Sequence, residues 1–102
     1  MTYNMQKVYY MSKVISTHLY VLRCGDKLKI GITNDIESRL SSLQTGNPEQ
    51  IVLEYIEERL NPRKAEKWLH NQFAYCRIKG EWFQGIKLID VRRKLMMFHE
   101  QD

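Results

Sequence analysis

Cysteine is scarce in this sequence, and long apolar segments are absent. The 102 residues include two cysteines, Cys24 and Cys76, which lie far apart and have no CxxC partner. Reduced free thiols explain such a pair better than a disulfide or a zinc site. No apolar run reaches the roughly 18 residues that a membrane span needs, and the first residues lack the apolar segment of a secretion signal. We therefore expect a cytoplasmic protein that makes no contact with a membrane.

Repeats and low-complexity tracts are also missing, and glycine and proline number only five and two. A chain of 102 residues can form one domain with a single modest core. Lys and Arg number 16 against 12 Asp and Glu, which gives a net charge of +4. This excess suits a polyanionic partner such as nucleic acid, although a small protein can also be basic by chance.

The pattern of apolar residues predicts the strands. Alternation over residues 18–32 predicts a β-hairpin with its turn at Cys24-Gly25-Asp26. A third strand is predicted over residues 51–57, which are apolar enough to lie inside a sheet. The Gly-Glu-Trp-Phe stretch over residues 80–83 predicts a short extended or turn segment.

Three helices are predicted around these strands. The first begins with Asn34 as its N-cap and Glu37 closing a capping box, and it ends near Gln44. The second begins at Asn61-Pro62, because proline is favoured at the first helical position, and it should end near Tyr75 or Cys76. The third presents one apolar face over residues 88–98. The fold class predicted is α+β, with a small and mainly antiparallel sheet.

Two helices carry polar residues beside their apolar stripes. Arg39 lies at the edge of the first helix's stripe, so its guanidinium should lean over the sheet. Its stem could instead cover the core while the charged head reaches water. Glu66 and His70 lie one turn apart on the second helix, where they could share a cation or form an ordinary surface contact.

Four stretches occur in a characteristic order: KIGITNDIESRL, LQTGNP, AEKWLHNQF and GEWF. With the preceding His18-Leu19-Tyr20, they resemble the GIY-YIG nuclease superfamily, in the short stand-alone phage and bacterial branch whose second tripeptide reads KIG. The resemblance covers residues 17–84. It implies a three-stranded antiparallel sheet flanked by helices, with residues 1–16 as an N-terminal arm or extra strand and residues 85–102 as a C-terminal helix packing on the same domain.

The resemblance also implies a reaction, the metal-dependent hydrolysis of nucleic-acid phosphodiester bonds. Tyr20 would contact or deprotonate the attacking water, and Arg39 would bind the scissile phosphate. Glu66 would hold one Mg²⁺ or Mn²⁺. Lys29 replaces the second tyrosine of the family, and could either lower the pKa of Tyr20 or clamp a phosphate. We expect these four side chains to converge on one face of the sheet.

Four further residues are candidates for supporting roles. His18 takes the place of the family's first glycine, and His18 and His70 could act as a general acid or contact a phosphate. Gly31 would allow a phosphate to approach the backbone closely. Glu81 is predicted to support the site rather than to bind the metal.

The expected function is therefore a metal-dependent endonuclease acting on nucleic acid, with DNA favoured over RNA. The alternative is a GIY-YIG-like module that has lost cleavage and only binds nucleic acid or another protein. A monomer and a homodimer are both compatible with the sequence.

Overall fold

The computed structural model describes residues 17–99, so the predicted N-terminal arm or extra strand lies outside the described residues. Within that range the chain forms, in order, strands β1 (Thr17–Cys24) and β2 (Lys27–Thr33), helix α1 (Ile36–Gln44), strand β3 (Val52–Arg59), helix α2 (Pro62–Gln72), a 3₁₀ turn (Ala74–Cys76), strands β4 (Arg77–Lys79) and β5 (Trp82–Gln84), and helix α3 (Leu88–Met97). The α+β class predicted from the sequence is confirmed.

The strands form an antiparallel sheet in the order β3-β1-β2-β5-β4. The sheet therefore has five strands in the described chain, not the expected three. The added strands β4 and β5 are three residues long, too short for alternation to reveal them. The turn between them uses Gly80, whose φ of +56° lies in the left-handed region that favours glycine. The GEWF stretch thus belongs to the edge hairpin of the sheet.

Helices cover both faces of the sheet, because successive strand side chains point to opposite sides. On one face, Leu19, Val21 and Ile30 pack with Leu69 of α2 and Val91 of α3. The other face is smaller, and its members on the strands and on α1 are Tyr20, Leu22, Cys24, Ile36, Leu40, Leu43, Ile56 and Trp82. The helices α1 and α2 are therefore separated by the sheet.

The helix boundaries follow local capping. The N-cap of α1 is Asp35, not the predicted Asn34, because the Asp35 side chain accepts a hydrogen bond from the Ser38 N–H at 3.1 Å. Asn61 caps α2 as predicted, and its Oδ1 accepts from the Lys64 N–H at 3.3 Å. The regular part of α2 ends at Gln72, and the 3₁₀ turn continues the chain to Cys76.

The LQTGNP stretch closes the loop between α1 and β3. The Gln44 amide donates to the carbonyl oxygens of Asn47 at 3.2 Å and Glu49 at 2.9 Å. Its Oε1 accepts from the Ile51 N–H at 2.8 Å. One side chain therefore satisfies three backbone groups, which fixes α1 against the sheet.

Both cysteines are free thiols, Cys24 buried and Cys76 half-buried. None of the helices within residues 17–99 is long and apolar enough to cross a membrane.

Leu69→Ala tests the larger core face, because Leu69 is completely buried. Removing a buried leucine side chain is expected to lower the free energy of unfolding by about 2–5 kcal/mol. Leu60→Ala is the matched control, since Leu60 is 85% exposed and its loss should cost less than about 0.5 kcal/mol. Urea unfolding of both variants checks the prediction, and equal costs would contradict the packing described here.

Candidate active site

Tyr20 and Arg39 form the first contact of the site. Tyr20 lies on β1 and points to the face covered by α1, where its hydroxyl accepts a hydrogen bond from Arg39 Nε at 3.3 Å. Arg39 therefore leans over the sheet rather than away from it. Tyr20 is completely buried, and burial raises its pKa while the bond and the positive charge of Arg39 oppose that shift. Arg39 is thus the cation that opposes the rise, whereas lowering the pKa of Tyr20 was one of the two roles open to Lys29.

Gly31 lies directly opposite Tyr20 in the β1–β2 pairing. A Cβ atom built on Gly31 would be 2.5 Å from the Tyr20 hydroxyl oxygen and 2.9 Å from Glu81 Oε1. Both distances are closer than nonbonded atoms can approach. The glycine therefore leaves the space in which the tyrosine hydroxyl and a carboxylate come together, a packing reason that the sequence did not reveal.

Lys29 is two residues from Gly31 on β2, so both residues face the same side of the sheet. It is only 6% exposed, and its Nζ lies 3.2 Å from Glu81 Oε1. It also lies over the Trp82 ring, 5.4 Å from the centroid. A lysine is rarely buried without a partner, and Glu81 supplies the opposite charge here.

Glu66 reaches this cluster from α2, which packs on the other face of the sheet. The four side chains were expected to converge on one face of the sheet, but the helices that carry Arg39 and Glu66 lie on opposite faces. Strand β5 pairs with β2 only as far as Lys29. Beyond that point the Ile30 N–H donates to the Glu81 carbonyl at 3.1 Å, and His70 Nε2 lies 2.7 Å from the Ile30 carbonyl. The α2 helix thus lies along the edge of β2 that β5 leaves uncovered.

The carboxyl groups of Glu66 and Glu81 interact. The pKa of Glu66 is raised from its ordinary 4.5 to about 7, first by burial, then by the negative charge of Glu81 and by a hydrogen bond between the two side chains. The cations Arg63 and Lys29 oppose the shift. Glu66 Oε2 is buried and has no hydrogen-bond partner. Burial and the nearby Glu81 therefore both favour the protonated form of Glu66.

The two histidines have different surroundings. His70 bonds the Ile30 carbonyl and contacts the Phe83 ring edge-on, and burial lowers its pKa. A neutral imidazole whose Nε2–H donates to this carbonyl fits these contacts. His70 therefore holds α2 against β2. His18 Nδ1 is buried and has no hydrogen-bond partner within residues 17–99.

The oxygen atoms of the cluster could hold one hard divalent cation. Mg²⁺ is often bound through one or two carboxylates and several waters, and Glu66 and Glu81 are two adjacent carboxylates. The unpartnered Oε2 of Glu66 and its raised pKa both indicate a site that a cation would stabilise. Within residues 17–99 there is no group of three or more His, Cys, Asp or Glu residues suited to metal binding, so solvent would complete the coordination.

Two cavities lie near the ends of β1 and β2. One cavity, of about 620 Å³, lies on the α2–α3 face and is lined by Leu28, Ile86 and Leu88 among others. Tyr20, Lys29, Arg39, Glu66 and Glu81 do not line it. The other is an open cleft of about 290 Å³ beside Trp82 and Lys79, next to Lys29. We refer to this second cavity as the Trp82 cleft.

Comparison with known proteins gives one family. A family model described as the T5orf172 domain matches residues 8–96. The domain is associated with phages, and it is compatible with a nuclease-like module that acts on nucleic acid. Neither the curated proteins nor the solved structures include a match to this chain.

Gly31→Ala tests the close approach of Tyr20. The added methyl group would overlap the tyrosine hydroxyl, and overpacking of this kind typically costs about 1–3 kcal/mol. The same substitution should cost less in a Tyr20→Leu background, because leucine lacks the hydroxyl and the ring atoms that the methyl group meets. Urea unfolding of the four proteins in this double-mutant cycle measures the coupling. Equal costs in the two backgrounds would show that the clash lies elsewhere.

The raised pKa of Glu66 predicts how stability depends on pH in metal-free buffer. Because the folded-state pKa of about 7 exceeds the ordinary 4.5, the native state binds more protons than the unfolded state between these values. Stability is therefore expected to fall as pH rises from about 4.5 to about 7 and to level off above it.

Glu66→Gln should remove this component, since an amide cannot ionise. Glu58→Gln, at an exposed carboxylate on β3, should keep it. Denaturant unfolding at several pH values checks both variants. Identical pH profiles for wild type and Glu66→Gln would contradict the assignment.

Proposed function

Because the chain belongs to the T5orf172 domain family, we propose that it is an endonuclease-type domain of the GIY-YIG kind. It hydrolyses phosphodiester bonds of nucleic acid, with DNA as the favoured substrate, and it uses one Mg²⁺ or Mn²⁺. The observation that carries the proposal is the chain of contacts from Arg39 through Tyr20 and Gly31 to Glu81, Lys29 and Glu66. This cluster combines two cations with two carboxylates around the Tyr20 hydroxyl and Gly31.

Arg39 and Lys29 suit the charge of the reacting phosphate. In-line displacement places extra negative charge on the equatorial oxygens of the phosphate, and fixed cations aimed at them stabilise the transition state more than the ground state. Arg39 is oriented by its hydrogen bond to Tyr20, and Lys29 by Glu81. Both cations are therefore positioned before the substrate arrives.

Glu66 is the residue that would hold the divalent ion, with Glu81 adjacent to it. The ion would supply Lewis-acid stabilisation of the phosphate oxygens and an acidified water. The pKa of Glu66 is raised to about 7 without a metal, so binding of the ion below that pH should release a proton. Glu81 also holds the Lys29 ammonium in place at 3.2 Å, which fits the supporting role expected from the sequence.

Tyr20 fits an orienting role better than that of a free base. Its pKa is raised, so the phenol is neutral at pH 7 and its hydroxyl accepts from Arg39. The side chain is also completely buried. We therefore assign Tyr20 the task of holding the guanidinium in place over Gly31.

The activity is tested by incubating purified protein with plasmid, linear and single-stranded DNA in the presence of Mg²⁺ or Mn²⁺. Cleavage is expected to require the ion. Arg39→Gln should lower the rate by about 10²–10³-fold, as for other preorganised charge-stabilising groups. Arg93→Gln is the matched control, because it removes the same charge from an exposed position on α3 and should leave the rate nearly unchanged.

Glu66→Gln should weaken Mn²⁺ binding and slow cleavage together, and a calorimetric titration measures the binding without reference to activity. Normal Mn²⁺ binding in this variant would remove Glu66 as the ligand. Salt-sensitive retention of DNA without any cleavage would instead favour a module that only binds nucleic acid.

A further inference from the structure

The Trp82 cleft lies on the same face of the sheet as Tyr20, Lys29 and Arg39. Its walls include Lys27 from β2, Ile78 and Lys79 from β4, and Trp82 from β5. Ile78 is 47% exposed and Trp82 is half-buried. An aromatic ring and an apolar side chain are thus accessible between two lysines.

The cleft directly adjoins the proposed phosphate site. In the sheet, Lys29 pairs with Trp82, and Lys79 pairs with Trp82 from the other side. Lys27 and Lys29 are two residues apart on β2 and face the same side. A strand of nucleic acid whose phosphate lay at Lys29 would therefore place its next nucleotide at the cleft.

The chemistry of the cleft matches a single nucleotide. Bases stack on aromatic side chains in a sequence-tolerant manner, and lysines follow the phosphates. Lys29 Nζ lies over one face of the Trp82 ring, 5.4 Å from its centre, so a base would stack on the part of the ring that lines the cleft. Asn47 and Glu49 line the cleft as well and can bond to base edges or exclude a second phosphate there.

The size of the cleft also matters. Pockets that enclose drug-sized ligands hold about 300–1,000 Å³, and this cleft holds about 290 Å³. The cleft is therefore at the small end of the range for ligand sites, as a site for one nucleotide would be. In a duplex, moreover, both faces of each base are covered by neighbouring bases, so no base face is free to stack on the Trp82 ring.

We propose that the Trp82 cleft binds an unpaired nucleotide next to the scissile phosphate, so that the domain acts on single-stranded or locally opened nucleic acid. The proposal rests on the proposed nuclease function, because it assigns the substrate form of that same site. Trp82 is the stacking residue, and Lys27 and Lys79 bind the flanking phosphates.

The chain allows a direct optical test, because it has two tryptophans. Trp68 packs on Phe98 on the other face of the sheet, so Trp68→Phe leaves Trp82 as the only indole. In metal-free buffer at low salt, this variant is titrated with an oligothymidylate of about ten nucleotides, within the usual length range of single-strand sites. Stacking should quench the Trp82 fluorescence, and the quenching should weaken as salt increases.

Two further ligands separate stacking from charge. An abasic oligomer of the same length has the phosphates without the bases, so it should bind more weakly and leave the fluorescence unchanged. A duplex containing the same thymidylate strand should also fail to quench. Equal quenching by all three ligands, or none by the oligothymidylate, would overturn the proposal.

Variants then test the residues by anisotropy of a labelled oligothymidylate, without use of indole fluorescence. Trp82→Leu should weaken binding by about tenfold or more, and Trp82→Tyr should retain most of the affinity. Lys79→Gln should weaken binding and reduce its salt dependence, whereas Arg93→Gln on α3 should not. Thermal melts establish that each variant is folded, and equal affinities for Trp82→Leu and Trp82→Tyr would refute stacking.

The outcomes for the cleft and for cleavage are independent. If cleavage depends on the metal and on Arg39 but the Trp82 fluorescence is not quenched, the nuclease function is supported and the cleft is not a nucleotide site. Quenched Trp82 with no cleavage under any metal would retain the cleft as a binding site and remove the nuclease function.

Discussion

The pairing of Gly31 with Tyr20 is the constraint on which the rest of the site depends. The tyrosine hydroxyl occupies the space that a side chain on residue 31 would need. From that position it accepts from Arg39 and thereby ties α1 to the sheet. A shift of the hairpin register by one residue would turn Tyr20 to the opposite face and separate these groups.

Burial of charge is the second determinant of the arrangement. Lys29 is almost completely buried, and burial together with the nearby Glu81 raises the pKa of Glu66 to about 7. Each charge is tolerated because a neighbour of opposite sign or a bound proton offsets the loss of water. Such a cluster contributes little to stability compared with the apolar face around Leu69. Its cost is more easily understood if the cluster binds a cation and a phosphate.

Much of the architecture could be predicted from local patterns. The central hairpin, the α1 helix to Gln44 and the Asn61-Pro62 start of α2 each depend on nearby residues, so their signals are visible in the chain itself. The sequence pattern did not predict that β4 and β5 pair as strands, because strands of three residues carry no measurable alternation. The cap of α1 was placed one residue early, since Asn34 and Asp35 are equally good caps and only the backbone geometry selects Asp35.

The sequence by itself determined which residues are available: an ordered set of tyrosine, lysine, glycine, arginine and glutamate with an excess of positive charge. Only the tertiary structure decided how they meet. In the structure Arg39, not Lys29, bonds the Tyr20 hydroxyl, and Lys29 pairs with Glu81. Glu66 approaches Glu81 from α2, which packs on the opposite face of the sheet. The physical reason is that these contacts depend on where β5 ends and on which groups are buried together, and both are properties of the packed sheet rather than of any local stretch of chain.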